Sequence, residues 1–262
     1  MPLFTNHLNK GNNLIIQIIG LPGSGKTALA AALANRINAI HFNADEVRAD
    51  LSSDLGFKSE DRLEQARRLG ALARLTSKQS YITVVDFICP TEETRTVFGK
   101  PDILIWVNRI EAGRFEDTNE MWENPSNADL VILDGSTVEQ EVDDIIRIFG
   151  LHDWRKPTTL MLGRYQPWHE GHHALLEKAY ERTDQVVIAV RDTYGTSEKD
   201  PLPYQEVANR IRTEERSSFV VKFPNITNIV YGRDVGYKIE QVDLGADIHS
   251  ISATQKRKDL GI

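Results

Sequence analysis

The sequence predicts an α/β chain of two domains, each built on a parallel sheet. Three observations carry this. An apolar run at residues 14–19 feeds the stretch Gly20-Leu-Pro-Gly-Ser-Gly-Lys26-Thr27, which opens an alanine-rich helix. Short apolar runs then alternate with helical patterns as far as residue 149, as a parallel sheet covered on both faces requires. A polar, breaker-rich stretch at residues 150–157 interrupts the alternation, which restarts at residue 158. Domains are therefore expected at residues 1–150 and 158–262, with residues 151–157 as linker. A chain of 262 residues is long enough for two separate cores.

In order, residues 14–19 read as a strand, 26–37 as a helix, 39–43 as a short strand, and 47–51 as the start of a helix. Residues 61–75 carry apolar positions at helical spacing with arginines on the other face. Residues 81–86 form a buried strand that ends in the carboxylate of Asp86. Residues 102–107 and 129–133 are further strands, and 138–149 is an acidic amphipathic helix. In the second domain, strands are expected at 158–163, 185–190 and 219–223, with helices at 171–183 and 204–215.

Composition narrows the function. A net charge of −7 argues against a nucleic-acid coat. The single cysteine, Cys89, excludes an internal disulfide and a cysteine-built zinc site. No apolar run reaches the roughly 18 residues of a membrane span, and the first residues lack a secretion signal. The expectation is a cytoplasmic protein that binds neither nucleic acid nor membrane.

The pattern G-x-x-x-x-G-K-T between a strand and a helix is a phosphate-binding P-loop. Gly20, Gly23, Ser24 and Gly25 let backbone N–H groups surround phosphate oxygens, and the helix N-terminus adds positive charge. Lys26 would reach the β- and γ-phosphates of ATP, and Thr27 would ligate Mg²⁺. Asp45 follows the second strand and can orient an acceptor hydroxyl. Arg48, Arg62 and Arg67 can clamp an anionic acceptor, or form a solvated helix face. Asp86, at a strand tip, suits a carboxylate near Mg²⁺, or a strand-end cap.

Asn43-Ala-Asp45-Glu-Val-Arg48, Asp54-Leu-Gly-Phe57 and Asp61-Arg62-Leu-Glu-Gln65-Ala-Arg67-Arg68 follow the P-loop in that order. Together they resemble adenylylsulfate (APS) kinases, whose pattern is D-G-D-x-x-R, D-L-G-F and D-R-x-E-N-x-R-R. The resemblance is close over residues 14–90 and loose over 115–132. It implies an ATP-dependent kinase of a hydroxyl on a nucleotide-like acceptor, and a homodimer. On that mapping Asp45 is the activating carboxylate, and Arg48, Phe57, Arg62 and Gln65 bind the acceptor. Two departures stand out. Ile88-Cys89-Pro90-Thr91 replaces the family's I-S-P-aromatic, and the lysine-rich lid is missing from residues 106–118.

The second domain opens with Gly163-Arg164-Tyr-Gln-Pro-Trp168-His169-Glu-Gly171-His172 and closes with Ile251-Ser252-Ala-Thr254-Gln-Lys256-Arg257. His169 and His172, three apart at a helix start, can both face phosphates. Gly171 lets a nucleotide approach the backbone. Ser252, Thr254 and Arg257 begin a second helix and suit the β- and γ-phosphates, with Lys256 weaker. Attack on an α-phosphorus needs no protein nucleophile, only stabilised charge. Without a third ligand the histidines make a poor zinc site. Tyr165 and Trp168 read as core before substrate platforms.

These two motifs resemble the H-x-G-H nucleotidyltransferases, and the first is worded most like the nicotinamide mononucleotide (NMN) adenylyltransferase branch. The resemblance implies a Rossmann-like domain that releases pyrophosphate. Gly163, Arg164 and Gly171 would lie at the nucleotide, and Asp234, in Gly232-Arg233-Asp234, would read base or ribose. The fold class expected overall is a P-loop NTPase-type parallel sheet followed by a smaller Rossmann-like nucleotidyltransferase domain. The partners are nucleoside triphosphates and small phosphorylated acceptors. Two alternatives stay open: a CTP-using cytidylyltransferase in the second domain, or a first domain that only binds nucleotide for regulation.

Overall fold

The computed structural model describes residues 13–79, 81–215, 219–230, 232–233, 236–245 and 253–260. The chain divides into two compact units, residues 1–155 and 156–262.

The first unit is a five-stranded sheet ordered β2-β3-β1-β4-β5, with every pairing parallel. Its strands are β1 (Ile15–Ile19), β2 (Ile40–Asn43), β3 (Thr83–Phe87), β4 (Ile103–Val107) and β5 (Leu130–Ile132). Its helices are α1 (Lys26–Ile37), α2 (Ala44–Asp50), α3 (Ser59–Ser77), α4 (Glu92–Phe98), α5 (Glu116–Met121) and α6 (Val138–Phe149). Successive strand residues point to opposite faces. Ile19, Val85, Phe87 and Leu104 pack on one face with Val47 of α2, Leu69 and Ala73 of α3 and Phe98 of α4. Ile16, Ile18, Val84, Ile103 and Ile105 alternate with them and are also fully buried. Sealing both faces is what makes these strands read as continuous apolar runs.

Residues 151–155, expected to be linker, belong to the first unit. Arg36 at the end of α1 is 6% exposed and needs acceptors. It donates to Asp153 at 3.0 and 2.5 Å, to Asp143 at 2.8 Å and to Glu139 at 2.9 Å. Asp153 is itself 1% exposed, and the Trp154 N–H donates to the Arg36 carbonyl. A charge network therefore draws this segment onto α1 and α6.

The second unit is a three-stranded parallel sheet ordered β6-β7-β8, from β6 (Thr159–Gly163), β7 (Val186–Arg191) and β8 (Phe219–Phe223). Helices α7 (Glu170–Tyr180), α8 (Tyr204–Glu214) and α9 (Ala253–Leu260) complete its described elements. Its core joins Met161, Ile188 and Val220 of the strands to Leu176 of α7 and Val207 and Ile211 of α8. No helix among the described residues is long and apolar enough to cross a membrane.

Candidate functional site

In the first unit, β1 delivers the glycine loop to the carboxyl end of the sheet, where open parallel sheets take their ligands. Gly25 caps α1 at φ +88°, a conformation that costs any residue with a Cβ. No side chain caps this helix start, so its first N–H groups remain open to an anion. The neighbouring cavity, about 620 Å³, is lined by Gly23, Gly25, Lys26, Thr27, Asp45, Arg48, Phe57, Arg62, Gln65 and Asp86 among others. Gly20 and Ser24 are not in its wall: Gly20 is pressed against Val107, and Ser24 is 2% exposed beneath the loop.

Asp86 is fully buried at the end of β3 and gathers three donors. Thr27 Oγ1 donates at 2.7 Å, Asn43 Nδ2 at 3.1 and 3.2 Å, and His41 Nε2 lies 2.7 Å from Oδ1. Register explains the meeting, because Asn43 of β2 is paired with Asp86 of β3. The other end of the Asn43 amide caps α2, accepting from the N–H groups of Asp45 and Glu46. Burial lowers the Lys26 pKa, and the carboxylates of Asp86 and Asp45 oppose that shift. Thr27 and Asp86 are hard oxygen donors of the kind Mg²⁺ prefers. Among the described residues no group of three or more His, Cys, Asp or Glu could hold a metal alone. A nucleotide's phosphates and water would supply the further oxygens to an Mg²⁺ held there.

Phe57 and Phe115, both more than half exposed, line the cavity. Gln65 donates to the Ala44 carbonyl at 3.1 Å and so holds the start of α2 next to Asp45. Arg48 donates to the Gly56 carbonyl at 2.5 Å and lies 4.9 Å over the Phe57 ring. Arg62 donates to the Phe57 carbonyl at 2.8 Å and to Asp117 at 2.8 Å. Arg67, read as an acceptor clamp or a solvated helix face, makes a forked pair with Glu64 on the helix surface and lies outside the cavity wall. Cys89 sits in the wall at φ +49°, buried, with its thiol pushed up to about 12 by burial.

Sequence reasoning missed Arg109, Arg114 and Phe115. Arg109 follows β4, donates to the Ser24 carbonyl at 2.9 Å, and is held from behind by the buried carboxylate of Glu141. Its position just past the carboxyl end of a parallel strand was the available signal.

In the second unit the motif residues His169 to His172 sit at the start of α7. His169 caps α7, its Nδ1 accepting from the Gly171 N–H at 3.1 Å, which leaves the ring proton on Nε2. The His169 and His172 rings stack 3.8 Å apart. Burial pushes the His172 pKa down to about 3, with His169 adding to the shift. Burial also lowers that of His169. Burial therefore favours the neutral form of both rings. Tyr165 and Trp168 are core residues, 3% and 5% exposed, and Trp168 stacks on His172 at 5.2 Å. Gly163 is required by the Tyr165 ring, which would lie 2.7 Å from any Cβ there.

From α9, Arg257 donates to the Gln166 carbonyl at 2.9 Å and Lys256 pairs with Glu170 at 2.9 Å. The two distant motifs therefore meet at the start of α7. Arg164 pairs with Asp200 at 3.1 Å. The Gln166 amide bonds both ways with the Leu202 backbone, at 2.8 and 2.9 Å, and pins the loop after β7. Thr254 lies in the first turn of α9. Its side chain, Ser252 and Asp234 fall outside the described residues.

The family model for adenylylsulphate kinase matches residues 12–100, and the cytidylyltransferase-like model matches residues 160–235. An adenylyl-sulfate kinase of Vibrio cholerae is 41% identical over 161 residues, spanning 50% of this chain and 74% of the relative. One from Clostridium acetobutylicum is 31% identical over 131 residues. That match covers 46% of this chain and 66% of the relative, just under two thirds of its length. Among solved structures, the Mycobacterium tuberculosis APS kinase in complex with AMPPNP and APS is 20% identical with a TM-score of 0.46. It covers 53% of this chain and 98% of its own. The chain belongs, through its first unit, to the adenylyl-sulfate kinase family, and its second unit carries a cytidylyltransferase-like domain.

Proposed function

We propose that the chain is a bifunctional enzyme: an ATP- and Mg²⁺-dependent kinase of a nucleotide hydroxyl in the first unit, and a pyrophosphate-releasing nucleotidyltransferase in the second. One observation carries the kinase reading. Lys26, uncapped helix N–H groups and the Thr27–Asp86 pair converge on the cavity that also holds Asp45 and the two phenylalanines. Asp45 would accept the acceptor's hydroxyl proton. Phe57 and Phe115 would flank a planar base. Arg48 and Arg62 keep guanidinium donors at the acceptor end.

For the second unit, His169, whose Nδ1 is an acceptor, would turn its Nε2–H toward a phosphate, and Arg257 adds a cation at the same helix start. We assign NMN adenylylation as its reaction, on the motif wording from Gly163 to His172. CTP-dependent transfer to a phosphorylated acceptor is the second reading, favoured by the cytidylyltransferase-like family match. The test is pyrophosphate release with ATP or CTP against NMN and a panel of phosphorylated acceptors. ATP-plus-NMN turnover supports the assignment, and turnover with CTP alone replaces it. For the kinase, ADP formation that depends on adenylylsulfate or another nucleotide supports the reading. ADP formation indifferent to every acceptor would refute it. The APS-kinase resemblance further implies a homodimer, which sedimentation of the purified chain tests.

A further inference from the structure

The cations around the first unit's cavity are not equivalent. Arg48 and Arg62 are occupied by the carbonyls of residues 55–57 and by Asp117. Arg109 is occupied by the Ser24 carbonyl and Glu141. Lys26 and Arg114, by contrast, line the cavity with no hydrogen-bond or ion-pair partner among the described residues. Arg114 Nε lies 3.8 Å from the position a Cβ on Gly23 would take, so it stands over the phosphate loop. Its charge also acts against Lys26, adding to the depression that burial causes. Asp86 and Asp45 act on Lys26 more strongly than Arg114 does, and a polyanion lying between the two cations would pair with both.

The backbone that carries Arg114 is fixed on both sides. Gly113 is packed on Pro22, leaving no room for a Cβ there: one would come within 2.7 Å. The Asn119 side chain closes the loop, accepting from the Gly113 N–H at 2.7 Å and donating to its carbonyl at 3.1 Å. Thr118 is 1% exposed, and Asp117 is tied to Arg62. Beyond α5, Trp122 packs against Trp106 with ring centroids 6.4 Å apart. The Arg114 side chain is exposed and unbound, so it can turn onto a phosphate without moving this frame.

Resting on the kinase reading above, we propose that Arg114 is a catalytic residue that neutralises charge on the phosphoryl group in transit, and that residues 113–119 are its rigid mount. In that step the bond from the γ-phosphorus to the ADP oxygen breaks, and ADP leaves with the electron pair. A bond forms from phosphorus to the acceptor oxygen, whose proton passes to Asp45. Charge spreads over the oxygens of the transferring group. Lys26 meets it from the loop side and Arg114 from the β4–β5 connection.

The test uses the full chain with ADP and Mg²⁺, with and without fluoroaluminate as a mimic of the phosphoryl group in transit. Affinities are measured by calorimetry for wild type, Arg114→Ala and Arg114→Lys. Wild type is expected to bind tighter when fluoroaluminate is added. Arg114→Ala should keep ADP affinity within about twofold and lose about 10²-fold of the gain, as for removal of one charge-stabilising donor. Arg114→Lys should recover part of it. No gain in wild type, an undiminished gain in Arg114→Ala, or equal weakening with and without fluoroaluminate would each overturn the proposal. Acceptor-dependent ADP formation separates the two ideas. Its absence in wild type, with the fluoroaluminate gain intact, refutes the kinase reading alone. Full turnover by Arg114→Ala refutes the role of Arg114 alone.

Discussion

Replacing Asp86 with Asn tests the centre of the kinase site with almost no change in shape. The carboxylate is fully buried and accepts from Thr27, Asn43 and His41 at 2.7–3.2 Å. An amide keeps one acceptor oxygen and turns a second donor toward the Asn43 amide, which already donates. Each charge-assisted bond that becomes neutral loses about 1 kcal/mol. With three donors involved, the expected loss of stability is about 3 kcal/mol. At about 2–4 °C per kcal/mol for a unit of this size, the first unit should melt about 6–12 °C lower. Thr27 loses the acceptor that orients its hydroxyl, and Lys26 loses the carboxylate that most favours its charged form. Kinase kcat should fall about 10²-fold, which corresponds to about 2.7 kcal/mol. Scanning calorimetry and acceptor-dependent ADP formation read the two effects. An Asp86→Asn variant with the wild-type melting temperature and kcat would refute the assignment of Asp86 as the organiser of this site.

Further outcomes are expected. Arg36→Met should destabilise the first unit by about 3–5 kcal/mol, because it removes the cation that neutralises the buried carboxylate of Asp153. Limited proteolysis should then cut within residues 151–155, and wild-type resistance there would contradict the network. The second unit should lose stability on acidification. Its His172 stays neutral down to about 3, while the unfolded side chain takes up a proton near 6.5. Unfolding then binds more protons, so stability is complete above about pH 6.5 and falls toward pH 3, by up to about 1.4 kcal/mol per pH unit for each such histidine. His173, raised by Glu215, acts the other way and only above its unfolded value. A urea midpoint that does not change between pH 6.5 and 4, or a His172→Ala variant with the wild-type slope, would contradict this.

The strands were legible because burial on both sheet faces leaves them apolar throughout, and the P-loop because its spacing is dictated by phosphate. Helices α4 and α5 were not. Each is six or seven residues long, too short for a repeating apolar face, although Thr91 and Thr94 at the start of α4 form a capping box. Of the expected linker at 151–157, residues 151–155 join the first unit, because breaker content was visible and the demand of Arg36, more than 110 positions away, was not. The same limit hid Arg109 and Arg114. Their meaning comes from the loop they cover, which depends on the order β1-β4 in the sheet. Local spacing likewise placed His169 and His172 together, but only the fold brings Arg257 to the Gln166 carbonyl.

The central claim is two nucleotide sites, one in each unit. Its most direct measurement is both activities, acceptor-dependent ADP formation and pyrophosphate release, on Lys26→Ala and His172→Ala of the full chain. Lys26→Ala should abolish the first and spare the second, and His172→Ala should do the reverse. Loss of both activities from either substitution would contradict the account.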